Sequence, residues 1–144
     1  MKIDNVMTKV VEVVHPDDSL QSAAQKMKDC DIGFLPVCDG EEMIGVLTDR
    51  DLALRATAEG ADPATPIGRG REYITAPVVY CFDDQSVEDA AKLMEANRIR
   101  RIAVVSRKDK RLVGIVSLGD IATNGTKRTS SRVLECVSEP PEKV

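Results

Sequence analysis

The chain repeats itself once, and that restricts its fold to two copies of one supersecondary unit. Met7-Thr8 answers to Ile74-Thr75, Asp17 to Asp84, Ser19 to Ser86, Ala23-Ala24 to Ala90-Ala91, Met27 to Met94 and Val37 to Val104, all at an offset of 67 residues. After a slightly longer connection in the second copy, Gly45-Val46-Leu47-Thr48 matches Gly114-Ile115-Val116-Ser117, and Asp51-Leu52 matches Asp120-Ile121, at an offset of 69. Chance would rarely hold one register over so many positions.

Each copy spells the same order of elements. A Val-rich extended segment comes first, Val10 to Val14 in one copy and Val78-Val79-Tyr80 in the other. A helix follows, with apolar positions Leu20, Ala23, Ala24 and Met27, or Val87, Ala90, Ala91 and Met94, in the i, i+3, i+4, i+7 stripe. Ser19 and Ser86 stand where N-caps belong. Two short apolar runs predict strands, Phe34 to Cys38 and Met43 to Leu47 around the turn Asp39-Gly40, then Ile102 to Val105 and Leu112 to Val116. A second helix begins after Thr48 or Ser117. The fold class is therefore α+β, two pseudo-symmetric β-α-β-β-α repeats, with near-continuous apolar strands covered by helices. The expected layout is a first repeat over 1–58, a Gly- and Pro-rich linker over 59–72, a second repeat over 73–124 and a tail over 125–144. Within that tail, 131–137 could form a short helix.

Composition bounds the function. In 144 residues the formal charge is −4 and aromatics make up 3%. A nucleic-acid surface normally needs a cationic excess, and single-strand binding needs stacking rings, so neither is expected. No apolar run approaches the roughly 20 residues that span a bilayer, and the first residues lack a signal-peptide core, which predicts a cytoplasmic protein. Cys30, Cys38, Cys81 and Cys136 are widely spaced and accompanied only by His15, so structural zinc is not expected and the thiols read as reduced and mostly buried. No nucleophile elbow, glycine-rich phosphate loop or paired carboxylates support an enzyme.

Two such units, each opening on a hydrophobic-Thr pair and ending in Gly-h-h-[Thr/Ser]-x-x-Asp, resemble the tandem cystathionine-β-synthase (CBS) domain pair, or Bateman module. The resemblance runs from about Val6 to Ala122. It implies a regulatory, non-catalytic module whose clefts bind adenosine-containing ligands: AMP, ADP or ATP first, with S-adenosylmethionine or NAD(H) as further members of the class. A homodimer, as related modules commonly form, and a protein effector acted on in trans are expected, with no required cofactor and no metal.

The motif suits that chemistry. A carboxylate at Asp51 or Asp120 accepts from both hydroxyls of a ribose, and Thr48 or Ser117 offers a hydroxyl beside free helix-start N–H groups. Carried over from the family, one site comprises Thr8, Arg100, Arg101, Ser117 and Asp120, with Val11, Val13 and Ile115 walling the adenine slot. The second, weaker one comprises Thr75, Thr48 and Asp51, walled by Val46, Val78 and Tyr80. There Gly33-Phe34 replaces the basic pair, and Arg50 could compensate. A competing reading makes Thr48-x-x-Asp51 and Ser117-x-x-Asp120 helix capping boxes, within a structural interaction module whose ligand sites are vestigial.

Overall fold

The computed structural model describes residues 1–9 and 12–123. In chain order its strands are β1 (Thr8–Lys9), β2 (Phe34–Asp39), β3 (Glu42–Thr48), β4 (Tyr80–Phe82), β5 (Arg101–Val105) and β6 (Leu112–Ser117). Its helices are α1 (Leu20–Cys30), α2 (Asp49–Asp51), α3 (Val87–Asn97) and α4 (Leu118–Ala122). Helix α2 runs directly into a π-helical stretch, Leu52–Thr57. The expected α+β class and the paired β-α-β-β-α order are both present.

Local chemistry explains the helix limits. Ser19 accepts a hydrogen bond from the Ser22 N–H and Ser86 from the Asp89 N–H, so both expected N-caps hold. Both helices also stop in the same way. Asp31 and Arg98, equivalent at the 67-residue offset, each adopt a left-handed conformation with φ 55°, and their N–H groups close the last turn on carbonyls of α1 and α3. The apolar stripe is narrower than its spacing suggests, because Ala24 is exposed and Ala91 only half-buried. Leu20, Ala23 and Met27 are buried on α1, and Ala90 and Met94 on α3.

The described chain divides into two compact units that do not follow repeat order. Residues 1–9 join 79–123 in one, and residues 12–78 form the other. The first unit holds a four-stranded sheet in the order β1-β6-β5-β4. Strand β1 pairs antiparallel with β6, Thr8 facing Ile115 and Lys9 facing Gly114. Ile3, Val6, Cys81, Ala90, Met94, Ile102, Val104 and Val116 make its core. The opening residues of the chain thus complete the sheet of the second repeat.

The second unit copies this arrangement with fewer ladder bonds. Strands β2 and β3 form an antiparallel hairpin, Val14 bridges Val37, and Thr75 bridges Val46 with two backbone hydrogen bonds of 2.8 and 3.1 Å. Thr75–Val46 is the counterpart of Thr8–Ile115. The Val-rich opening segments are less regular than expected, since among the described residues only Thr8–Lys9 and Tyr80–Phe82 are strands there. The stretch read as a linker is not merely a connection. Ile67 is fully buried, in the same core as Leu35, Val37 and Leu47. The segment 131–137 lies outside the described residues.

Cys38 and Cys81 are free thiols, as expected. Burial, with a smaller contribution from Asp89, pushes the Cys81 thiol up to about 12, which keeps it protonated and inert. Burial also raises Cys38. Cys136 lies outside the described residues.

Candidate functional site

Strand periodicity gathers the first set of candidate residues. Side chains directly opposite in an antiparallel pair share a face, and alternate residues along a strand share it too. Thr8 faces Ile115, Ile115 faces Ala103, and Arg101 faces Ser117. Thr8, Arg101, Ile115 and Ser117 therefore lie on one face of a single sheet. Ile102, Val104 and Val116 point the other way, into the core.

The motif glycine makes this assembly possible. A Cβ on Gly114 would come within 2.5 Å of Met7 Sδ and 3.0 Å of the Thr8 carbonyl. A Cβ on Gly45 would stand 3.0 Å from the Thr75 carbonyl and 3.1 Å from Ile74 Cδ1. In both units, then, the glycine of Gly-h-h-[Thr/Ser]-x-x-Asp admits the backbone that carries the hydrophobic-Thr pair.

The motif aspartates are nearly buried, with Asp120 4% and Asp51 7% exposed. Each closes a capping box. Ser117 N–H donates to Asp120 Oδ2 at 2.9 Å and Asp120 N–H to Ser117 Oγ at 2.9 Å. Thr48 N–H donates to Asp51 Oδ2 at 3.0 Å and Asp51 N–H to Thr48 Oγ1 at 3.0 Å. The capping role read from the sequence is thus real in both copies. It uses one carboxylate oxygen of Asp120, and among the described residues the other accepts no further bond.

The two sets differ in charge. Arg100 and Arg101 are exposed and enter no ion pair among the described residues. Their counterparts are Gly33 and Phe34, both half-buried. A Cβ on Gly33 would fall 2.6 Å from Asp49 Oδ2, so a carboxylate occupies the space where the Arg100 stem would leave the backbone. The contrast extends to whole units. Residues 1–9 and 79–123 carry ten basic and eight acidic side chains, whereas residues 12–78 carry six and thirteen.

In the second set, Phe34 faces Thr48, and Val46 bridges Thr75, whose hydroxyl lies 3.4 Å from Asp51 Oδ2. Val78 is in the same unit and half-buried. Arg50 is exposed, its N–H donating to Asp49 Oδ1 at 2.8 Å, with no bond to Asp51. Arg55, absent from the sequence reading, takes the place beside Asp51 instead, its Nε 3.5 Å from Asp51 Oδ1. Its i, i+4 spacing on a helix was the available signal. Val13 and Tyr80 belong to the opposite unit from the set each was assigned to, and Val11 lies outside the described residues. Among the described residues no group of three or more His, Cys, Asp or Glu could hold a metal, and no helix is long and apolar enough to cross a membrane.

Known proteins share the sequence and the fold. The CBS domain model matches residues 3–56 and 71–125. The CBS domain-containing protein YhcV of Bacillus subtilis is 40% identical over 129 residues, covering 90% of this chain and 89% of the relative. The crystal structure of Hypoxic Response Protein I with two coordinated zinc ions superposes with a TM-score of 0.75 at 36% identity, over 85% of this chain and 98% of that one. CBSX2 in complex with AMP superposes with a TM-score of 0.74 at 25% identity, over 89% and 98%. The duplicated motif, the repeated β-α-β-β-α order and these matches agree: the chain belongs to the CBS domain family and carries two CBS domains.

Proposed function

We propose that this chain is a non-enzymatic, cytoplasmic regulatory module that binds adenosine-containing ligands of the AMP, ADP or ATP class. One observation carries the reading: in both units, a Thr from the start of one repeat meets the Gly-h-h-[Thr/Ser]-x-x-Asp motif of the other beside a nearly buried carboxylate. AMP in the related CBSX2 structure supports the ligand class. Asp120 is the ribose-diol acceptor, because its second oxygen has no partner among the described residues. Arg100 and Arg101 supply the phosphate-seeking charge, Ser117 a hydroxyl, and Thr8 and Ile115 the wall of the adenine slot. The Asp51 set, with Phe34 in place of a cation and the acidic balance of its unit, is the weaker phosphate site.

The capping boxes favour a second reading, a structural interaction module with vestigial sites, since they account for both aspartates without a ligand. Thermal unfolding with AMP, ADP, ATP, S-adenosylmethionine and NADH separates the two. At about 100 times its dissociation constant a ligand adds roughly 2.7 kcal/mol, and the midpoint should rise by about 5–15 °C. A panel that leaves the midpoint where it was, from protein that retains no nucleotide on purification, would support the vestigial reading.

Output in this reading passes to a protein effector in trans or through a homodimer. Exposed Ala24 on α1 and Leu118 on α4 leave apolar helix surface for a second copy to cover. Light scattering should therefore report a dimer. A mass of 15.7 kDa persisting at high micromolar concentration would remove the homodimer.

A further inference from the structure

Among the described residues the carboxylate of Asp51, unlike that of Asp120, is engaged by the chain on both oxygens. Oδ2 accepts from the Thr48 N–H at 3.0 Å and the Thr75 hydroxyl at 3.4 Å, and Oδ1 faces Arg55 Nε at 3.5 Å. The far end of the same guanidinium donates from Nη1 to the Ile74 carbonyl at 3.3 Å. Arg55 thus spans from the motif carboxylate to the backbone immediately before Thr75, held at two points. The equivalent position in the second copy, at the 69-residue offset, is the uncharged Asn124.

We propose that Arg55 is the resident counter-ion of the Asp51 site: it lies on the one carboxylate oxygen with acceptor capacity left for a ribose diol, so an adenosine ligand competes with it for that oxygen. This rests on the reading of Asp51 as a ribose acceptor. A carboxylate oxygen offers two lone pairs, and Oδ2 already has two donors, which leaves a diol to compete for Oδ1. The surroundings keep Arg55 in place, because it is one of only six basic side chains against thirteen acidic ones in its unit. The Arg55 side chain is 48% exposed, so the ion pair is weak. Self-occupation should therefore lower the site's affinity by roughly two- to fivefold without closing it. Arg55 acts as a specificity-determining residue. It competes equally against phosphorylated and unphosphorylated adenosine, which a phosphate-binding cation would not do.

Calorimetric titration of the full chain with adenosine and with AMP tests this in an Asp120→Asn background, where the helix cap keeps a side-chain oxygen and the Asp51 site dominates. Adding Arg55→Ala should tighten both ligands by about two- to fivefold. Arg55→Lys, which keeps the charge but cannot hold both partners at once, should tighten them less, and it carries the test if the alanine variant unfolds. Loss of AMP affinity with adenosine unchanged would make Arg55 a phosphate contact and overturn the proposal. Unaltered affinities, or a site that stays silent in every Arg55 variant, would overturn it as well, while Asp120-dependent binding by the wild type would leave the ligand reading standing. Wild-type protein that binds neither adenosine nor AMP would overturn both.

Discussion

An Asp120→Ala variant is expected to bind AMP about tenfold or more weakly than wild type, with a smaller loss for Asp51→Ala. A hydrogen bond to a charged acceptor contributes about 1.5–3 kcal/mol, and each 1.4 kcal/mol is about a factor of ten in affinity, so losing one ribose contact suffices for the effect. The two aspartates are unequal because of what already holds them. Asp120 spends one oxygen on its cap, whereas Asp51 also receives the Thr75 hydroxyl and Arg55. Each alanine change also removes a capping partner and should lower stability by about 0.5–2 kcal/mol. Stability and affinity must therefore be measured separately. Arg101→Ala should weaken AMP more than adenosine, and the difference should shrink with salt, as expected of an exposed cation facing phosphate. If calorimetry returns one affinity for wild type, Asp120→Ala and Asp51→Ala, these carboxylates are caps only and the site assignment is wrong.

Much of this architecture was legible because its signals are local. Ser19 and Ser86 cap their helices, a turn at Gly40-Glu41, one residue on from the expected Asp39-Gly40, joins two strands, and Thr48-x-x-Asp51 and Ser117-x-x-Asp120 form capping boxes, each decided within a few residues. What escaped the sequence depends on contacts distant along the chain. Nothing in the pattern of residues 59–72 separates a loose connection from one that packs Ile67 into a core, because a single buried isoleucine has no period. Ala24 obeys the helical stripe yet is exposed, since alanine marks a face only weakly. The left-handed turns at Asp31 and Arg98 lacked the glycine that usually announces them. Arg55 was legible only as a spacing. Its significance comes from Ile74, nineteen positions away, which fixes the far end of the guanidinium.

The unit boundaries were the least legible feature, and they support the largest stability effect expected here. Periodicity shows that two copies exist but not which opening segment completes which sheet, because either choice keeps every register. The structure gives the opening residues to the second repeat. Ile3 is fully buried among Met94, Ile102 and Val116, and its N–H donates to the Gln85 carbonyl at 2.8 Å. Truncating a buried isoleucine in such a core costs about 2–5 kcal/mol, the lost transfer energy plus a cavity that neighbours only partly fill. Ile3→Ala should therefore destabilise the protein about as much as Ile102→Ala, although the two are 99 positions apart. The two changes should also be coupled. Removing neighbouring side chains from one cluster lets the core relax around a shared cavity, so the double variant should lose less than the added single losses, by at least about 0.5 kcal/mol. Ile3→Ala combined with Leu35→Ala, a residue of the other cluster, should instead be additive. Denaturant unfolding of the five variants gives both coupling energies. An Ile3→Ala change costing under about 0.5 kcal/mol, as for a surface residue, would mean that the opening segment is not part of this core.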